Sequence, residues 1–371
     1  MNALPASTDV FVIGGGPAGL AAAMAARHRG FDVTLADGSV PPIDKACGEG
    51  LMPDGIAAAR ALGIPLEEAG GHPFRGIRFC QREDAVEAAF PHGPGLGLRR
   101  TALHGLMVEC AARAGVRLAW GVAVTGLHPE GVHADGRLVR ARWTVGADGG
   151  RSNVRRWAGL DAYRHDSRRF GFRRHYRVAP WSEFMELHWG HACQIYITPV
   201  SEREMCVALI SADFRLRLED ALPRFPAVAQ RLAGAEASTL ERGSVSSSLR
   251  LKSVCRGRVA LVGDASGSVD AITGDGLCLL FQQAEALGRA LESGDLRRYE
   301  AEHRRIGRRP EFMAALMLLM NRRDGLRRRV IRAMAGAPHL LEGMLAMHVG
   351  EVSLPAFLTN SLHLGWRMLT I

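Results

Sequence analysis

Lysine is almost missing from this chain: of its 47 basic side chains only Lys45 and Lys252 are lysines. Any chemistry that needs an amine therefore has two positions to draw on. Tyrosine is scarce as well, with four in 371 residues, and the positive charge is scattered rather than striped. That pattern does not suit a nucleic-acid surface, which needs clustered cations interleaved with stacking rings. No run approaches the ~18 to 20 uncharged apolar residues of a membrane span. The first nine residues lack a basic region followed by an apolar stretch, so no secretion signal is expected. The seven cysteines (Cys47, Cys80, Cys110, Cys193, Cys206, Cys255, Cys278) include no pair spaced two residues apart. An odd, dispersed set reads as reduced thiols, and the chain reads as cytoplasmic. His188-Trp189-Gly190-His191-Ala192-Cys193 gathers metal-ligand types but lies in strand-like sequence without a fourth ligand, so no metal is expected.

With 47% hydrophobic and 23% charged residues, the composition is that of a globular protein. Its length points to about two domains. The net charge of +9 favours an anionic partner such as a dinucleotide.

The opening unit names that partner's class. Asp9 to Ile13 is a continuous apolar run, suited to a strand buried on both faces of a parallel sheet. Gly14-Gly15-Gly16-Pro17-Ala18-Gly19 follows at once, then an alanine-rich helix-forming stretch from Leu20 to Arg29 with Gly30 as its stop. Phe31 to Ala36 reads as a second strand that ends on Asp37. Gly14 permits the tight turn, Gly16 lets backbone approach a pyrophosphate, and Gly19 lets helix and strand pack closely. The helix start, with Pro17 fixing its first turn and free N–H groups from Ala18 onward, presents donors and a positive dipole end to phosphate. Asp37 is placed to accept from both ribose hydroxyls of an adenosine. An adenine dinucleotide is expected here; the unit alone does not separate FAD from NAD.

Two distant segments do. Arg142 to Arg156 reads RWTVGADGGRSNVRR, and Val259 to Gly276 reads VALVGDASGSVDAITGDG. Leu98-Arg99-Arg100-Thr101-Ala102-Leu103 adds an arginine at a helix start. Together with the glycine fingerprint, these segments resemble the flavin motifs of the aromatic hydroxylase superfamily, over residues 1 to about 300. That superfamily includes flavin monooxygenases, geranylgeranyl reductases and flavin-dependent halogenases. The resemblance implies an α/β fold, with a glutathione-reductase-type FAD-binding Rossmann-like domain, an antiparallel β-sheet substrate domain and a C-terminal helical segment. The FAD-binding part is expected in three pieces, 1–70, 98–160 and 255–300. The substrate part is expected at 71–97 and 161–254, and the helical segment at 301–371.

Residue by residue, the resemblance places Asp264 on the ribityl chain and Arg100 near the cofactor. It assigns Asp148 and Gly149 to the pair associated with FAD and with transient nicotinamide binding. Gly274, Gly276 and Leu277 begin a helix aimed at the pyrimidine side of the flavin. Cys47 and Gly48 fall in a loop that crosses near the isoalloxazine ring, and Cys47-Gly48-Glu49-Gly50-Leu51 is similar to the Cys-Gly-Gly-Gly-Leu of geranylgeranyl reductases. Glu49 replaces the middle glycine and brings a carboxylate towards flavin or substrate. Ala271 stands where the superfamily usually has proline, a departure at the flavin's reactive edge.

A second glycine fingerprint is missing, so NAD(P)H is expected as a transient reductant bound outside the FAD domain. Phe172, Tyr176, Phe184, Trp189 and Tyr196 are expected to wall a dry pocket for an apolar small molecule. Cys47, Glu49 and Tyr196 are the expected catalytic groups, with His175 and His188 as further proton handlers. Past residue 300 the chain is Met-rich, with arginines at 322, 323, 327, 328, 329 and 332. It reads as helices with a solvated face, or alternatively as a peripheral contact with anionic membrane.

The leading expectation is a NAD(P)H-dependent monooxygenase acting on an isoprenoid- or polyketide-like molecule. The alternative is an ene-reductase saturating isolated double bonds. A halogenase is disfavoured because no Trp-x-Trp occurs and no lysine lies between Lys45 and Lys252. A non-catalytic protein like the GDP-dissociation inhibitors is disfavoured by Asp264 and the glycines after it.

Overall fold

Runs of buried Val, Ile, Leu and Ala make the central strands of the first layer, because a parallel sheet covered on both faces leaves no polar side. In the computed structural model, which describes residues 4–350 and only the backbone of 164–167, five strands run parallel. Their order is Val259–Leu261, Arg137–Gly146, Ser7–Ile13, Val33–Asp37, Arg117–Trp120. The helices Pro17–Arg27, Arg100–Arg113 and Gly276–Ser293 pack their apolar faces on one side of the sheet. On the other side, the antiparallel strands Val124–His128 and Gly131–Ala134 extend from Arg137–Gly146. The hairpin between Ala134 and Arg137 turns on Asp135 (φ 50°) and Gly136 (φ 74°), the two left-handed residues that a tight Asp-Gly turn requires.

The second layer is a sheet in the order Glu236–Ala237, Tyr163–Arg177, Glu204–Ser211, Cys193–Ser201, Met185–Trp189, Gly76–Gln81, Asp84–Ala89. Arg242–Leu251 also pairs along Tyr163–Arg177. All pairings are antiparallel except that of Met185–Trp189 with Gly76–Gln81. Side chains alternate between the two faces of a strand, and the faces meet different partners. One face packs on the C-terminal helices Leu296–Arg322, Asp324–Ala335 and His339–His348, and carries Phe79, Leu187, Trp189 and Tyr196. The opposite face carries Phe172, Tyr176, Ile195 and Ile197 against the short helices near 218–231.

This alternation corrects the expected five-residue aromatic pocket. Phe172 and Tyr176 lie on the far side of the sheet from Trp189 and Tyr196, and Phe184 sits outside the strands, with Arg75 over its ring. Among the described residues, no helix is long and apolar enough to cross a membrane. Residues 351–371 of the expected C-terminal segment lie outside the described residues.

Candidate active site at the strand ends

The parallel strands end side by side, and this brings the three sequence motifs together. Gly14 follows Ser7–Ile13 with φ +113°, and a Cβ there would sit 2.4 Å from the Ala147 carbonyl oxygen at the end of the neighbouring strand. A Cβ on Gly19 would lie 1.8 Å from the Gly14 oxygen, so the helix start and the turn touch backbone to backbone. Gly263, which follows the strand Val259–Leu261, approaches Ala18 of the same helix start. Gly16, by contrast, faces open space. It precedes the helix Pro17–Arg27, and no side chain caps the first amides; helix geometry leaves those N–H groups free for an anion.

At the end of its strand, Asp37 accepts from the Gly15 N–H (2.6 Å) and the Ser39 N–H (2.7 Å). The carboxylate is thereby fixed beside the glycine turn, with lone pairs left over for a diol. Asp148 accepts from the Ser152 hydroxyl and from the N–H groups of Asn153 (2.6 Å) and Val154 (3.1 Å). It therefore caps the short helix Asn153–Trp157, while Gly149 (φ 79°) leaves open space beside it.

Asp264 meets Lys45 Nζ at 2.7 Å. Desolvation works against its charge, but the Lys45 ammonium, with Arg100 beyond it, prevails and holds the carboxyl below its ordinary range. Gly274 (φ +75°) and Gly276 both face open space before the helix Gly276–Ser293, whereas the Leu277 side chain is buried in the core. Beneath this helix start lies a buried acid cluster. Burial, and then the charge of Asp275, push the Asp54 carboxyl up to about 6. Burial also opposes charge on His348, but Asp275, 3.1 Å away, more than offsets it and raises the pKa.

The loop after the second strand is laid against the second-layer sheet by four side chains. Arg173 donates to Asp44, Thr198 Oγ1 donates to the Gly48 carbonyl at 2.8 Å, and the Cys206 thiol lies 3.8 Å from the Cys47 carbonyl. His175 Nε2 is 2.6 Å from Glu49 Oε2. Glu49 also accepts from the Arg100 N–H at 3.0 Å and lies 3.7 Å from Arg173 Nε. Cys47 is half-buried, and its sulfur accepts from the Glu49 N–H at 3.4 Å.

Two of the expected catalytic groups are thus differently employed. Glu49 is 1% exposed and enclosed by the Arg173 guanidinium, the His175 ring and the Arg100 N–H, so its carboxylate does not project into open space. The Tyr196 hydroxyl donates to the Ile272 carbonyl at 2.6 Å, and burial pushes its pKa far above the usual tyrosine range. Of the two histidines, His175 is fully buried, and His188 Nε2 is bonded to Glu186 at 2.8 Å.

Glu49, His175 and Cys206 bring one possible metal ligand each within 4.8 Å of one another. Here His175 Nε2 and Glu49 Oε2 are bonded directly to each other at 2.6 Å, and the Arg173 guanidinium lies beside both residues. Burial also keeps the Cys206 thiol protonated. The His188 to Cys193 stretch does not converge either, since His191 is exposed and Cys193 belongs to the far-side core.

Sequence reasoning missed Arg173, which anchors the loop, and Gln283, whose side chain accepts from the Gly263 N–H at 2.9 Å. It also missed His104, buried with Nε2 2.9 Å from the Gly15 carbonyl. The rarity of lysine was a usable signal for Lys45, one of only two in the chain. FAD fits what is present. Gly16, Gly48, Gly149, Gly150, Gly274 and Gly276 all border space that a Cβ would enter without contact, along the edge where the three strands end.

The chain is 28% identical over 320 residues to a menaquinone reductase of Mycobacterium tuberculosis, covering 79% of this chain and 78% of that one. It is 38% identical over 175 residues to a 6-methylpretetramide 4-monooxygenase of Streptomyces rimosus, covering 42% and 41% respectively. In fold it is similar to a flavoprotein/dehydrogenase from Cytophaga hutchinsonii, with a TM-score of 0.81 at 19% identity and 98% of each chain covered. The family model described as FAD binding domain matches residues 7–294, and the chain belongs to that family of FAD-dependent oxidoreductases.

Proposed function

We propose that this protein is a NAD(P)H-dependent flavin monooxygenase acting on an apolar small molecule of polyketide or isoprenoid type. One observation carries the reading. The segment Ala271–Thr273, just before the open glycines 274 and 276, carries Ile272 into the same buried apolar cluster as Trp189, Tyr196, Met313 and Met317, and the one hydroxyl among these four is already spent on Ile272. A wall of this kind excludes water and orients a greasy substrate, and it offers no acid or base of its own.

FAD, when bound, supplies the electron transfer and the activation of O₂. The chain's residues do the rest. Gly16 and the free amides of the first helix hold phosphate, Asp37 holds the adenosine ribose, and Asp264 with Lys45 holds the ribityl end. The amides at the start of Gly276–Ser293 would lie towards the flavin, where the helix dipole would stabilise negative charge by about 0.3 to 1 kcal/mol, or more in a dry site. Arg169 and Gln194, both buried and bonded to each other, set a polar point at the edge of the greasy wall.

Reduction of a double bond is the second reading. It is favoured by the reductase relative, whose match spans 79% of this chain, and by Cys47, a half-buried thiol in the flavin loop. Labelled oxygen separates the two. FAD-loaded protein is given NADH or NADPH, ¹⁸O₂, and either a long-chain alkylphenol or a polyprenyl quinone. One labelled oxygen atom in the product supports oxygen transfer. Two hydrogens added across a side-chain double bond, located by fragmentation after reoxidation of any quinol, without label and formed equally well under argon, overturn it in favour of reduction.

A further inference from the structure

Glu49 is one of four non-glycine residues with positive φ among the described residues, at φ 60°. L-residues are disfavoured there, because Cβ crowds the following carbonyl. The position is also the one where the similar Cys-Gly-Gly-Gly-Leu loop carries glycine. A long charged side chain therefore occupies a backbone conformation suited to glycine, and its carboxylate is 1% exposed. Burying a carboxylate is costly unless it is paired and fully hydrogen-bonded. A strained and buried charge persists only where its surroundings over-determine it, and such places cluster at functional sites.

The surroundings come from three parts of the fold. The Arg100 N–H, at the start of the helix Arg100–Arg113, donates to one carboxylate oxygen at 3.0 Å. His175 and Arg173, from the substrate sheet, approach at 2.6 and 3.7 Å. Arg173 also holds Asp44 at the start of the same loop. Glu49's own backbone fixes the rest: its N–H points at the Cys47 sulfur, and its carbonyl accepts from the Leu98 N–H at 2.8 Å. Its neighbour Gly48 leaves open space.

We infer that Glu49 is a positioning residue. Its buried carboxylate pins the turn Cys47–Gly48 to the substrate sheet and to the Arg100 helix, so that the thiol and the open glycine are presented to the cofactor in one fixed arrangement. The inference rests on the FAD reading for what that arrangement serves. It does not make Glu49 a group that touches substrate. It assigns the glycine-to-glutamate difference at this position to a clamp between the two layers.

The test compares Glu49→Gln, Glu49→Gly and His175→Asn. Glutamine keeps the length and an acceptor oxygen. Glycine relieves the backbone but removes the clamp. Two quantities are read: FAD affinity by flavin fluorescence, with the visible spectrum of the bound flavin, and the rate at which iodoacetamide alkylates Cys47 in apoprotein, located by peptide mass. Glu49→Gly should bind FAD about tenfold or more weakly, alter the bound spectrum and speed Cys47 alkylation. Glu49→Gln should restore both to near wild type, and His175→Asn should fall between. Wild-type FAD affinity, or an unchanged alkylation rate, in Glu49→Gly overturns the inference. Should Glu49→Gly fail to fold, His175→Asn decides alone, and wild-type behaviour there overturns it. A wild-type protein that takes up no FAD defeats the functional reading instead, and Cys47 alkylation still reads the clamp.

Discussion

Lys45 Nζ stands 2.7 Å from Asp264 Oδ2, joining the loop after the second strand to the turn after the last parallel strand. Both side chains are 45% exposed, so the pair adds at most about 1 kcal/mol to folding. Its importance is placement, since it closes the loop over the edge where the three motifs end.

Asp264→Ala should therefore leave the thermal midpoint nearly unchanged while FAD retention on a desalting column collapses. Lys45→Ala should show the same split to a smaller degree, with affinity falling about tenfold. Full flavin occupancy in Asp264→Ala would remove the ribityl assignment.

Gly16 and Gly19 stand three residues apart and should respond in opposite ways. A methyl on Gly16 meets no atom within 4 Å, and its neighbourhood is open. Gly16→Ala should fold with a wild-type midpoint but lose FAD affinity, because the methyl enters the space expected for pyrophosphate. On Gly19 the methyl would lie 1.8 Å from the Gly14 oxygen, so helix and strand must separate. Gly19→Ala should lower the midpoint by several degrees, on the scale of the 1 to 3 kcal/mol typical of overpacking. Calorimetry with and without FAD reads both. Equal stability losses in the two variants would show that Gly16 is a packing residue.

The first layer was legible in the sequence because its signals are local. Strand, glycine turn, helix and terminal Asp37 follow one another within forty residues, and Asp135-Gly136 states its own turn. The buried alternation of the second-layer sheet was not legible. Phe172 and Trp189 look alike as aromatic residues in strands, and only register with neighbouring strands decides which face each takes. Glu49 shows the same limit. The sequence announced a carboxylate in the loop after the second strand, but its partners Arg173 and His175 lie more than 120 positions away. Nothing local in the sequence said that the charge would be spent on them.

The cluster Asp54, Asp275 and His348 makes stability depend on pH in a definite direction. The Asp54 carboxyl is raised from 3.8 to about 6, first by burial and then by Asp275. The native state therefore resists its ionisation, and stability present below pH 4 is lost as pH climbs through 6, by at most about 3 kcal/mol. The raised pKa of His348 acts in the same sense, with stability fading as pH rises past its folded value. The wild type should melt a few degrees higher at pH 5 than at pH 8, and Asp54→Asn should flatten that slope. Parallel slopes in the two proteins would rule out Asp54 as the source.

Tyr196 and Cys47 separate proton donation from packing. The Tyr196 hydroxyl is committed to the Ile272 carbonyl at 2.6 Å. Tyr196→Phe should therefore cost about 1 to 3 kcal/mol of stability, through the carbonyl left unpaired, while turnover stays within about twofold, well below the tenfold that 1.36 kcal/mol of barrier would produce. Cys47→Ala removes only a half-buried thiol, so stability should hardly move. If oxygen transfer is the reaction, turnover should also persist, because no proton from that thiol is required. A loss of ~100-fold or more in kcat, the range expected when a general acid is removed, would instead make Cys47 the donor and favour alkene reduction. Because the two variants share one assay and differ in which measurement moves, a collapse of turnover in Tyr196→Phe with unchanged stability would contradict the geometry at Ile272 and return the phenol to catalysis.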